Sequence, residues 1–155
     1  MLYAEDINYS VNADTDFSGS IYVGGNLSAD ESAEYQNVNI DISGGVVAAK
    51  DQNSYWKDGI FGGASEFGND KTSFSADKVS ITMTGGDVNN VIAGSFAAEK
   101  AKSSIGLSEI AISGGLVRNS VLGGSVLTYN NATSVGMANS HVGLSKIIIN
   151  GNAVI

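Results

Sequence analysis

The densest run of oxygen-bearing side chains is Asn12-Ala-Asp14-Thr-Asp16-Phe-Ser18-Gly19, with a possible ligand at every second position. Hard cations such as calcium take roughly six to eight oxygens from loops of this kind. The spacing departs from an EF-hand, because glycine comes eighth instead of sixth and Val23 stands at the twelfth position. Asn12, Asp14, Asp16 and Ser18 therefore read either as a weak calcium site or as a solvated turn. Asp41, Asp87, Glu109 and Lys146 lie in or beside strand-like runs. They fall at different phases of the repeat described below, so no two acids share a rung, as hydrolysis by paired carboxylates would require. His141 is the single histidine and has no Gly-x-Ser-x-Gly elbow to work with, so it reads as an exposed side chain. One histidine and no cysteine disfavour zinc, and no Gly-x-Gly-x-x-Gly or phosphate loop is present. No catalytic residue is assigned, and the expectation is of no enzyme and no cofactor beyond weak calcium.

Binding has a better candidate. Residues 46–59 form an insertion that carries Tyr55, Trp56 and Lys57 at its far end, where later copies are shorter. Loops on a rigid scaffold commonly carry recognition, and Trp and Tyr are frequent interface anchors and sugar-stacking surfaces. The plain alternative is that Trp56 folds back over an apolar patch. Residues 131–138 form a smaller bulge of the same kind.

The elements that would position these residues are constrained by composition. In 155 residues, 43% are hydrophobic and 15% charged, which suits one folded domain over 1–155 and excludes a disordered acidic tail. The 20 glycines follow no Gly-x-y period, so collagen is excluded. Sixteen acids against eight bases give a net charge of −8, the wrong sign for nucleic-acid binding. All of that excess lies in residues 1–49, which hold eight acids and no Lys or Arg. No apolar run approaches the ~20 residues of a membrane span, so no membrane-embedded segment is expected.

One pattern recurs four times: alternating apolar residues running into glycine. It occurs at Val38-Asn-Ile-Asp-Ile42-Ser-Gly44, Val79-Ser-Ile-Thr-Met83-Thr-Gly85, Ile110-Ala-Ile112-Ser-Gly114 and Ile147-Ile-Ile149-Asn-Gly151. A second marker, an apolar pair before small residues, recurs at Val23-Gly24-Gly25, Phe61-Gly62-Gly63, Ile92-Ala93-Gly94 and Leu122-Gly123-Gly124. Residues 105–114 and 142–151 are near-copies. Period-two alternation rich in Val and Ile predicts strands. About three runs per copy are expected, for example 79–83, 90–93 and 103–107, and only 96–104 hints at a helical turn. Such short strands bury a face only if each copy stacks on the last in parallel. The expected fold is therefore all-β, a parallel β-helix (β-solenoid) of about four to five coils of roughly 30 or more residues. Residues 1–37 would form an acidic cap or irregular first coil, and 38–155 the repeats. An antiparallel sandwich shares the composition but offers no reason for two markers in one fixed order.

The recurring Ile-x-Ile-Ser-Gly-Gly, the apolar-x-Gly-Gly marker and the Ser/Asn-rich return strand resemble the passenger region of bacterial autotransporter and haemagglutinin-like surface adhesins. The resemblance runs from about 38 to 152, with a weaker copy over 7–25. It implies a right-handed stalk that is secreted or held at the cell surface. It also implies adhesion, a role in virulence, and contact with a host-cell surface protein or glycan. Neither an export signal nor a membrane barrel is recognisable in this chain. The apolar stretch up to Ile155 predicts either a longer natural protein or self-association through an open last coil. The rival functions are a polysaccharide-processing β-helix enzyme and a self-stacking filament subunit.

Overall fold

Val and Ile at every second position suit a pleated, half-buried surface, and the recurrent apolar runs fall on strands. A computed structural model describes residues 5–48, 58–67, 69–98, 100–128 and 139–155. In chain order the strands are β1 (Glu5–Val11), β2 (Asp16–Phe17), β3 (Ser20–Tyr22), β4 (Asn26–Ser28), β5 (Ser32–Ile42), β6 (Val46–Val47), β7 (Gly59–Phe61) and β8 (Ala64–Phe67). They continue with β9 (Ser73–Met83), β10 (Asp87–Ile92), β11 (Phe96–Ala98), β12 (Lys102–Ile112), β13 (Leu116–Leu122), β14 (Val126–Thr128) and β15 (Asn139–Ile149). The described residues are all-β, and no helix among them is long and apolar enough to cross a membrane.

The chain visits three sheets in turn and then returns to the first. The first sheet has the order β1-β5-β9-β12-β15. The second runs β2-β6-β10-β7-β3, with β13 also on β10, and the third is β14-β11-β8-β4. Every pairing between these strands is parallel. In the first sheet Ile40, Ile81, Ile110 and Ile147 oppose one another in register, and so do Ile42, Met83, Ile112 and Ile149. Ile40, Ile81, Ile110, Ile42, Met83 and Ile112 are buried, and the core they form takes in Val47, Ile60, Val88 and Val91 of the second sheet.

This pairing corrects the expectation of one right-handed parallel β-solenoid of about four to five coils of roughly 30 or more residues each. The described strands belong to three separate parallel sheets of five, six and four strands, and the repeats are unequal. The second sheet shows the cause. β6 has only two residues and β7 begins twelve positions after β6 ends, whereas one continuous strand, β10, serves the next repeat. Asp87 and Val88 of β10 pair with β6, while Val91 and Ile92 pair with β7. β6 and β7 thus stand where the next repeat has one strand, and β2 and β3 show the same break in the first repeat.

A second correction concerns 103–107, expected as a separate return strand. It is the first half of β12, continuous with 108–112. Ser103 and Ile105 are buried, then Ser108, Ile110 and Ile112, so the inward phase slips by one residue at Gly106 and Leu107. The same slip lies between Ala76 and Val79 in β9. An alternation that changes phase looks like two strands, although the same pairing register holds on either side of Gly106. A Cβ on Gly106 would come within 2.7 Å of the Asp77 carbonyl oxygen, so the bend stacks closely there. Nor is the helical turn suspected over 96–104 found among the described residues there, since 96–98 is strand β11 and 102–104 opens β12.

The turns into the second sheet depend on glycine. Gly45, Gly86 and Gly115 have φ of +79°, +93° and +91° and occupy the same position in successive repeats. The Gly45 carbonyl accepts from Asp87 N at 2.9 Å, and the Gly86 carbonyl accepts from Leu116 N at 2.9 Å. A side chain at these positions would be strained in the left-handed region and would sit against the preceding turn.

Candidate functional site

Alternation sends every second residue of the first sheet outward, and register then builds outward columns across the strands. One column reads Asn8, Asn39, Ser80, Glu109, Lys146. Beside it runs Ser10, Asp41, Thr82, Ala111, Ile148. The side-chain amide of Asn39 donates to Asn8 Oδ1 at 3.0 Å, and that of Asn37 donates to Asp6 Oδ1 at 2.9 Å. Around Asn8, Ser10, Asn39, Asp41, Ser80 and Thr82 lies a shallow concavity of ≈ 480 Å³. Its amides and hydroxyls can give and accept hydrogen bonds and the Asp41 carboxylate can accept them, which suits a donor-rich polar ligand such as a sugar or a peptide backbone.

Toward β15 the face becomes charged. Glu109 lies between two ammonium groups, with Lys78 Nζ at 2.7 Å from Oε2 and Lys146 Nζ at 3.0 Å from Oε1. The hydrogen bond from Lys78, then that from Lys146, and then their charges hold the Glu109 carboxyl below its ordinary value of 4.5. That is the wrong direction for a general acid, which needs its proton near neutral pH. A carboxylate with a depressed folded pKa contributes stability above its ordinary value, and the contribution is lost as pH falls through the lower folded value. Glu109→Gln is therefore expected to lower the urea midpoint slightly at pH 7 and to leave it unchanged below the folded pKa. Urea titrations of both proteins across the acid range check this.

On the second sheet Arg118 spans both carboxylate oxygens of Asp87, with Nε to Oδ1 at 2.6 Å. Asn119 donates to Asn90 Oδ1 at 2.9 Å, and Asn90 donates to the Asp58 carbonyl at 2.6 Å. These contacts tie successive repeats together but are offset from the strand register, in which Asp87 opposes Leu116 and Asn90 opposes Ser120.

The other residues singled out in the sequence are placed apart. Tyr55, Trp56 and Lys57 lie outside the described residues, and so does the bulge at 131–138. Asn12 uses its side chain in the turn between β1 and β2, where Oδ1 accepts from Asp14 N at 3.0 Å. Asn12 N donates to Thr15 Oγ1 at 3.2 Å. Asp16 belongs to β2, and Asp14 and Ser18 flank that strand, all three exposed. Among the described residues no three His, Cys, Asp or Glu side chains are grouped to hold a metal ion. His141 is exposed on β15 opposite Ser104, in a smaller concavity with Lys102 and Asn139.

One pairing corrects the sequence reading outright. Glu109 and Lys146, taken as out of phase, oppose each other directly. The signal was available in the near-copies 105–114 and 142–151, where Glu109 and Lys146 hold the same place between Ser and Ile. The polar column through Asn8 and Asn39 carries no such signal, because its residue type changes from Asn to Ser to Glu and Lys across the strands.

No protein-family model, curated protein or solved structure matches the chain.

Proposed function

We propose that the chain is a non-catalytic structural and adhesive stalk segment of a secreted or cell-surface bacterial protein. The observation that carries this reading is the shared parallel register of the five strands of the first sheet from Ile7, Val38, Val79, Ser108 and Ser145 onward. That register turns single outward residues into rows of amide, hydroxyl and charged groups on a stiff sheet. Five strands at the usual spacing of about 4.8 Å make a face roughly 19 Å across, wide enough for several sugar rings or an extended peptide. The partner expected on it is a host-cell surface protein or glycan, held by hydrogen bonds in the concavity around Asn39 and Thr82. The ion pairs that hold the Glu109 carboxyl below its ordinary pKa support a structural role for that side chain. The repeat resemblance supports an extracellular setting.

Antibodies against the folded chain test the reading on intact cells of its natural source. Surface labelling that external protease removes is expected. Labelling only after permeabilisation would overturn it.

A further inference from the structure

The two ends of the sheet stack differ in chemistry. β15 is an edge strand of the first sheet, and among the described residues it pairs with β12 alone. Alternate N–H and C=O groups of a strand point to each side, so half of those on β15 face away from its partner. Its side chains are also uncovered: Leu144 is 64% exposed, Ile147 43%, Ile148 40% and Ile149 46%. Their counterparts Ile110 and Ile112, one strand inward, are buried. Long apolar edges of this kind template further pairing.

The opposite edge is β1, which among the described residues pairs with β5 alone. Its exposed apolar residue, Tyr9, lies in the column that ends at Ile147. Charge distinguishes the ends. Residues 1–49 hold eight acids and no Lys or Arg, whereas residues 110–155 hold Arg118, His141 and Lys146 and no acid. Two identical ends meeting would bring like charge against like charge, while β15 against β1 brings Lys146 toward Asp6 and Asn8.

We infer that the partner of the β15 edge is the β1 edge of a second copy of this chain, added head to tail as the next parallel strand of the first sheet. The inference rests on edge chemistry and holds whether or not the chain is displayed on a cell. Continuing the columns sets the register: Tyr9 of the second copy opposes Ile147, Ser10 opposes Ile148 and Val11 opposes Ile149. The contact is heterologous and does not close on itself, so it propagates into a filament.

A cysteine pair tests the register, since the chain has no cysteine of its own. Ser10 and Ile148 both face outward, and neighbouring strands place opposed Cα atoms about 4.8 Å apart, within the range a disulfide spans. Within one copy the two positions are separated by three intervening strands, so only an intermolecular bond can form. Oxidation of the full-length variant Ser10→Cys with Ile148→Cys is expected to give a reducible ladder of multimers. Adding Ile147→Lys should reduce the ladder at least tenfold. The reduced variants should melt within a few degrees of the parent, which separates lost contact from lost fold. Monomer alone at every concentration would overturn the inference. So would an equal ladder from Ser10→Cys with Leu144→Cys, which is out of register, or dimers from Ile148→Cys alone, which would mean that two β15 edges pair.

Discussion

Replacing Ile81 with alanine is expected to destabilise the protein by about 2–5 kcal/mol, the usual cost of emptying a fully buried aliphatic site. Ile81 is 1% exposed and lies in the central strand of the first sheet, between Ile40 on one side and Ile110 on the other. The cavity would open between two isoleucines that are themselves fixed by neighbours, so little collapse can refill it. Folded domains are stable by only about 5–15 kcal/mol in total, so a loss of this size is plain in a urea titration. Ser80→Ala, one residue away on the outward face, is expected to cost under about 0.5 kcal/mol. Equal effects of the two substitutions would show that Ile81 does not sit inside the stack of strands, and the register itself would be in question.

The second large effect is at a turn. Gly45→Val is expected to disrupt the junction between the first two repeats. The φ of +79° alone costs a side chain about 1–2 kcal/mol. A Cβ there would also come within 2.8 Å of the Thr15 carbonyl oxygen and closer still to that of Asn12. Neither carbonyl can move freely, because Thr15 O accepts from Val46 N and Asn12 O accepts from Thr15 N. Contacts in stacked repeats are mainly between neighbours, so the damage should be local at first. Amide exchange should accelerate in β1, β2 and β6 before it does in β12 and β13. Uniform acceleration throughout would mean that the repeats unfold as one unit, and unchanged exchange would mean that Gly45 tolerates a side chain.

The sequence made several of these features legible. Alternation through Val38-Asn-Ile-Asp-Ile42 states that a strand is present and which of its residues face inward, because a two-residue period has only two faces. The paired glycines announce a turn with positive φ, and at Gly45, Gly86 and Gly115 the turn is there. The recurrence of both markers in one order predicts that Ile81 lies beside Ile110 in parallel, as it does. The candidate site was less legible. Asn8, Asn39 and Ser80 share no residue type with Glu109 and Lys146, so the column they form leaves no trace in any single segment. The run at Asn12, Asp14, Asp16 and Ser18 has only the spacing of a cation loop, and in the fold Asn12 serves the turn with its own side chain.

What the residues determined unaided was local: strand faces, turn positions, the charge imbalance between the two ends of the chain and the repeat that links them. All of these follow from side-chain alternation, from the conformational freedom of glycine and from counting, none of which needs a distant partner. Only the tertiary structure decided that 103–112 is one strand with a slipped phase and that β6 and β7 stand where the next repeat has one strand. It also decided that Lys78, Glu109 and Lys146 meet as a single charged row. Backbone pairing settles each of these, and pairing depends on which strand lies 4.8 Å or so away, a choice made by stacking energy across the whole molecule.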